Sequence, residues 1–130
     1  MNKFGIEIAS SISPAGSIKK IVIIFPLHQD SPVIEPNMLE TIWCAVNRVT
    51  KSGKVLGNSE KIDVIDAVKA VTINSAYQYF EENEKGSIKE GKKADLVILN
   101  KNPFTVKKED IKDIKILETI KDGRTVYSVD

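Results

Sequence analysis

The run Ile21-Val22-Ile23-Ile24-Phe25 limits most strongly what this chain can fold into, because it joins β-branched and aromatic residues without interruption. Runs of this kind suit a strand that is buried on both faces, as in parallel sheets covered by helices. Further along, apolar residues recur at three- and four-residue spacings over 37–50, 61–70 and 72–80, which predicts three helices. The pattern predicts an α/β fold with a buried strand at about 21–27.

The C-terminal part of the chain is patterned for strands. Residues 94–99 form an apolar stretch that ends at a turn, and residues 114–120 roughly alternate between apolar and polar side chains. Asp122-Gly123 is a strong hairpin signal, so 125–129 is expected to return as the partner of the preceding strand. We therefore expect the chain to end in antiparallel strands.

Composition excludes several classes of partner. Nineteen basic and eighteen acidic residues leave a formal net charge of +1, so no overall field draws the chain to nucleic acid or to an anionic membrane. The apolar runs are too short for a membrane-spanning helix, and the N-terminus lacks a secretory pattern. We expect a cytoplasmic protein without a nucleic-acid or membrane partner.

One cysteine and four aromatic residues invite a functional interpretation. Cys44 lies among apolar residues, which favours a buried thiol over a reactive one. Trp43, Tyr77, Tyr79 and Phe80 could form an aromatic binding surface, but at helical spacings such residues are far more often part of the core. We expect all five side chains to be structural.

Four segments resemble motifs of one enzyme family. Residues 86–99, G-S-I-K-E-G-K-K-A-D-L-V-I-L, resemble the signature near the C-terminus of amidohydrolase superfamily enzymes. Residues 122–127 resemble the closing x-G-x-x-V-Y hairpin of that family, and Thr72–Ala76 resembles its T-x-N-x-A helix. Asp30–Val33 resembles the S-D-x-P-V at the end of the eighth barrel strand in the D-aminoacylase-like branch, also called amidohydrolase 3.

The resemblance implies a specific architecture. The region 1–82 would be the C-terminal end of a (β/α)8 catalytic barrel, with the stretch at 21–27 as the last strand. The region 83–130 would be the C-terminal part of the small composite β-sandwich. The fold expected from the resemblance is thus a barrel remnant followed by part of a sandwich.

The resemblance also implies a site. Asp30 matches the aspartate that ligates the catalytic divalent metal, for which we expect zinc, and that takes a proton from the metal-bound water. The other ligands of the family are mostly histidines, yet His28 is the only histidine here. On a strand, His28 and Asp30 would point the same way, which makes His28 a weak second ligand candidate. A purely structural alternative is that Asp30 begins a turn before Ser31-Pro32.

Two functions therefore remain open. The first is a portion of a metal-dependent hydrolase of non-peptide carbon–nitrogen bonds, inactive and free of bound metal on its own, whose missing ligands come from a complementing barrel chain. The second is a non-catalytic truncated domain with a binding or structural role. An unpaired barrel strand leaves open backbone edges, so we also expect the chain to self-associate as a dimer.

Overall fold

The structure is a computed structural model that describes residues 5–129. Its elements follow in the order α1 (Gly5–Ser10), α2 (Ala15–Lys20), α3 (Met38–Asn47), the 3-10 turn η1 (Asn58–Glu60), α4 (Val64–Val71), α5 (Ile73–Gln78), β1 (Leu96–Leu99), the 3-10 segment η2 (Lys108–Asp113), β2 (Ile116–Lys121) and β3 (Arg124–Ser128). The ends of the two predicted regions, 1–4 and 130, lie outside the described residues. At this level the prediction of a mixed helix and strand fold is confirmed.

The helix α3 begins where the sequence predicted it. Asn37 Oδ1 accepts hydrogen bonds from the backbone N–H groups two and three residues further on, at 3.1 and 3.2 Å. These bonds satisfy amides that have no partner within the first helical turn. Ile42 and Val46 lie on the buried face. A helix is therefore present where one was predicted over 37–50, but it ends at Asn47, because Arg48 adopts a left-handed conformation with φ +53°.

The helices α4 and α5 are separated by a break at Thr72. This residue has φ −124° and ψ −96°, which is outside the helical region. Its Oγ1 donates a hydrogen bond to the backbone carbonyl of Val68 at 2.7 Å and so helps to end α4. The helices predicted over 61–70 and 72–80 are confirmed, with small differences at their ends. None of the helices within residues 5–129 has the length and apolar character to cross a bilayer.

The helix α5 ends in a Schellman motif whose left-handed residue is Phe80. The backbone N–H of Glu81 donates to the carbonyl of Ala76 at 2.9 Å, and the N–H of Phe80 donates to the carbonyl of Tyr77 at 3.0 Å. Phe80 has φ +60°, a conformation in which glycine is usual because a Cβ crowds the backbone. Because Phe80 is 87% exposed, packing of its ring does not offset this strain.

The three strands form one antiparallel sheet in the order β1-β2-β3. Thr119 of β2 lies opposite Val97 of β1 on one side and Tyr127 of β3 on the other. Asp122 and Gly123 connect β2 to β3 with φ of +50° and +74°, and two positive φ values are what a type I′ hairpin turn requires. The predicted hairpin is therefore confirmed.

One hydrophobic core joins the helical region to the C-terminal region. Ile111 of η2 is fully buried in the same cluster as Ile42 and Val46 of α3. Trp43 Nε1 donates to the backbone carbonyl of Glu109 at 2.9 Å, which fixes α3 against η2. The division of the chain at residue 83 stays a prediction, and the core lies on both sides of it.

The strand predicted over 21–27 is wrong for this chain. Ile21 and Val22 form a turn. Residues 23–27, which we name the extended segment, contain no helix or turn and pair with no strand of the described structure. The side chains of Ile21, Val22, Ile23 and Ile24 are between 53% and 88% exposed. A strand is stabilised by backbone hydrogen bonds to a neighbouring strand, and within residues 5–129 no strand is hydrogen-bonded to this stretch.

The cysteine and most of the aromatic side chains that were predicted to be structural do not lie in the core. Tyr77, Tyr79 and Phe80 are exposed, and so is Cys44. Only Trp43 packs against the core. Periodicity shows which residues share a helix face, but it does not show that another element covers that face.

Candidate functional site

Asp30 begins a tight turn at the end of the extended segment 23–27. It has φ +56°, and its carbonyl accepts a hydrogen bond from the backbone N–H of Val33 at 2.9 Å. The residue is exposed, and within the described residues its carboxylate has no hydrogen-bond or ion-pair partner. The backbone of Asp30 thus agrees with the turn interpretation, while its carboxylate is free to bind a group from outside.

The loop that carries Asp30 is closed across its base. The side-chain carbonyl of Gln29 accepts a hydrogen bond from the backbone N–H of Asn37, the cap of α3. Within the loop, Ser31 Oγ donates to the carbonyl of Ile34 at 3.2 Å. These bonds connect the position of Asp30 to the well-packed start of α3.

His28 and Asp30 are close, but their geometry works against a shared metal ion. The backbone N–H of Asp30 donates to His28 Nδ1 at 3.1 Å, so Nδ1 acts as the acceptor in this bond. A metal at Nδ1 would replace this hydrogen bond directly. A metal at Nε2 would move the proton to Nδ1, which could then no longer accept. Either mode of binding therefore breaks the bond between the two residues.

The donor set of the described residues does not fit a metal centre. A zinc site uses three or four protein ligands, and no group of three His, Cys, Asp or Glu side chains within residues 5–129 is arranged to hold an ion. Asp30 and His28 provide two donors at most. The described residues alone therefore do not form a catalytic metal centre.

Charged groups hold α2, which precedes the extended segment. Glu60 of η1 accepts hydrogen bonds from Ser17 Oγ at 2.6 Å and from the Ser17 backbone N–H at 2.8 Å, and these bonds lower the pKa of the Glu60 carboxyl. Lys19 Nζ lies 2.6 Å from Asp66 and 2.9 Å from Asp63, and hydrogen bonding to these carboxylates raises the pKa of Lys19. Because the Lys19 pairs are exposed to solvent, they orient α2 more than they stabilise it.

An open groove of about 310 Å³ runs beside the extended segment. One wall consists of residues 22–25, and the other consists of polar side chains from α2, α4 and α5, among them Lys19, Asp66 and Asn74. Neither His28 nor Asp30 lines this groove. This groove is therefore separate from the predicted site residues.

Sequence reasoning missed how the segment before Asp30 is attached. Asn74 Nδ2 donates to the backbone carbonyl of Phe25 at 3.0 Å, and the backbone N–H of Leu27 donates to the carbonyl of Ala70 at 3.1 Å. Both partners lie at the junction of α4 and α5. The one available signal was the T-x-N-x-A resemblance at Thr72–Ala76. The sequence does not show what the Asn74 side chain binds, because its partner, Phe25, is distant in the chain.

Comparisons with known proteins show the family of this chain. The model of the amidohydrolase family matches residues 2–127. An N-substituted formamide deformylase from Arthrobacter pascens is 30% identical over 114 residues, which cover 88% of this chain and 21% of the relative. An adenine deaminase from Clostridium botulinum is 40% identical over 67 residues, covering 52% of this chain and 10% of the relative.

A solved structure agrees as well. The amidohydrolase from Thermotoga maritima MSB8 superposes with a TM-score of 0.62 at 25% identity, covering 88% of this chain and 26% of that protein. The chain thus spans about a fifth of the length of the deformylase. Since the family model matches nearly the whole sequence, the chain belongs to the amidohydrolase family.

Proposed function

We propose that this chain is the C-terminal portion of a metal-dependent hydrolase that acts on non-peptide carbon–nitrogen bonds. On its own it is inactive, and Asp30 is the residue that it contributes to the catalytic centre. The observation that carries the proposal is the exposed Asp30 carboxylate, which has no partner within the described residues and lies three positions beyond the last residue of the apolar segment 23–27. A carboxylate is a suitable oxygen ligand for a divalent ion.

The relatives support the class of bond. One relative is named a deformylase of N-substituted formamides and another a deaminase of adenine, and removal of a formyl group from nitrogen or of an amino group from carbon breaks a carbon–nitrogen bond. The loops that select a substrate in a barrel lie at the ends of several different strands. Substrate choice is therefore assigned to the complementing barrel chain.

The test is complementation with a matched variant. The chain is purified alone and together with a barrel polypeptide that supplies histidine ligands, and hydrolysis of N-formyl and N-acyl amines is measured with added zinc. We expect activity only for the combined chains and a loss of at least about a hundredfold for Asp30→Asn, as is common when one catalytic group is removed. Glu35→Gln removes another exposed carboxylate from the same loop and should retain activity.

The outcomes separate the alternatives clearly. Hydrolysis by the chain alone would contradict the proposal that the missing ligands come from elsewhere. Full activity of the combined chains with Asp30→Asn would remove Asp30 from the catalytic centre.

A second candidate function is self-association without catalysis. The specific observation is that Ile23 and Ile24 are exposed and that their backbone N–H groups donate to no acceptor within residues 5–129. Such an edge is a template for another strand. The partner that we propose is a second copy of this chain, paired in antiparallel fashion through the same segment.

The mass in solution tests this second candidate. At micromolar concentration we expect a dimer that Ile23→Asp dissociates, because an aspartate in a paired apolar strand is strongly unfavourable. Ile88→Asp changes an exposed isoleucine elsewhere and should leave the dimer intact. A monomeric mass for the unmodified chain would refute self-association.

A further inference from the structure

The motif Thr72–Ala76 is not used by the proposed function, yet its side chains connect separate parts of the chain. Asn74 Nδ2 reaches the carbonyl of Phe25, which is 49 positions away in sequence. Thr72 and Ser75 bond only within the α4–α5 region, to the carbonyls of Val68 and Ala70. Asn74 is therefore the member of the motif whose side chain contacts the segment that leads to Asp30.

The extended segment 23–27 has few other attachments. Among the described residues, its hydrogen bonds to the rest of the chain are the one from Asn74 and the one from the Leu27 N–H to the Ala70 carbonyl. Phe25 and Leu27 also pack partly against the core. Apolar packing opposes a shift that would turn Phe25 and Leu27 away from the core, but it is not directional, so two hydrogen bonds to fixed groups hold the exact position of the backbone more closely.

The cost of sliding follows from the geometry of extended chain. A shift of one residue moves every later residue by about 3.3 Å and turns side chains to the opposite face. Catalytic groups must be held to within about 0.5 Å of their working positions. Asp30 follows Phe25 by five positions, so a slip at Phe25 displaces the chain that leads to Asp30 and strains the bond from the Asn37 N–H to Gln29 that also holds this loop.

We propose that Asn74 is a positioning residue that fixes the register of the segment 23–27 and thereby the location of Asp30. The relevance of that location to catalysis rests on the proposed function. The hydrogen bond from Asn74 to Phe25, which we call the tether, does not depend on that function. An amide is required because Nδ2–H donates to a carbonyl oxygen. An ionised aspartate at the same place would put an acceptor against an acceptor.

The experiment uses the chain as it is, without metal or substrate. Amide hydrogen exchange of Leu27 and the NMR shifts of the His28 and Asp30 amides are compared for the wild type, Asn74→Asp, Asn74→Ala and Thr72→Val. The last variant removes one side-chain hydrogen bond from the same motif without touching the segment. We expect Leu27 to exchange about tenfold faster in both Asn74 variants at neutral pH, as for loss of a hydrogen bond that limits local opening.

A pH profile separates positioning from general destabilisation. When the aspartate of Asn74→Asp is protonated, its O–H can donate to the Phe25 carbonyl. The exchange rate of the Leu27 amide and the NMR shift of the Asp30 amide in this variant should therefore return toward the wild-type values as the pH falls below about 4. Asn74→Ala has no such donor and should show no recovery. Thr72→Val should lower the unfolding temperature without changing either signal.

The proposal is overturned if Asn74→Asp leaves the Leu27 and Asp30 signals unchanged, or if the changes at neutral pH persist in acid. Because no reaction is measured, such a failure would concern the tether alone. The hydrolase proposal fails instead in the complementation assay, so the two results are distinguishable.

Discussion

Replacement of Ile111 by alanine tests whether the helical region and the C-terminal region of the chain share one core. The side chain is 0% exposed and belongs to the cluster that contains Ile42 and Val46 of α3. The substitution removes three carbon atoms, which corresponds to about 2.4 kcal/mol at roughly 0.8 kcal/mol for each buried CH₂. The cavity that remains adds to this loss, so we expect the free energy of unfolding to fall by about 3–4 kcal/mol.

Urea denaturation followed by Trp43 fluorescence provides the assay, because Trp43 is the only tryptophan and its Nε1 bonds to the η2 backbone. Ile88→Ala is the matched control, since Ile88 is 92% exposed and should change stability by less than about 0.5 kcal/mol. Circular dichroism at the strand signal should give the same midpoint as fluorescence. A loss below about 1 kcal/mol for Ile111→Ala, or two separate transitions, would refute the shared core.

Three further predictions concern the backbone and pH. Gly86→Ala should destabilise the chain by about 2 kcal/mol more than Gly91→Ala. Both glycines have φ near +85°, but only at Gly86 would an added Cβ lie 2.9 Å from other atoms. Thermal unfolding of both variants measures the difference. Phe80→Gly should raise stability by about 1 kcal/mol by relieving the left-handed strain, and an equal or lower unfolding temperature would argue against it. The pKa of Glu60 is lowered by Ser17, so its contribution is present above the ordinary glutamate pKa and is lost as the pH falls through the lower folded value. In Glu60→Gln, the free energy of unfolding should therefore fall less steeply as the pH is lowered into the acid range. The same dependence as in the wild type would show that this carboxylate does not contribute.

Local signals in the sequence were sufficient where the structure depends on neighbours in the chain. Asn37 caps α3 because its side chain reaches amides only two and three residues away. The Asp122-Gly123 turn forms because both residues tolerate positive φ. In both places the determining contacts lie within a few positions, so residue type and spacing predict them.

The failures concern contacts between distant positions. Ile21 to Phe25 has every local preference of a strand, but a strand exists only beside a partner, and residues 5–129 place none there. Likewise Tyr79 and Phe80 share the spacing of core residues yet are exposed. The bond from Asn74 to Phe25 spans 49 positions, and no local pattern indicates it.

The central claim is that this chain carries Asp30 but cannot assemble the metal site by itself. The most direct test is the zinc content of the purified chain after dialysis, measured for the wild type and for Asp30→Asn. Our account predicts far less than one equivalent of zinc in both proteins, because the described residues offer at most two ligands, Asp30 and His28, and His28 Nδ1 already accepts a hydrogen bond from the Asp30 backbone N–H. One equivalent of zinc in the wild type that disappears in Asp30→Asn would contradict it.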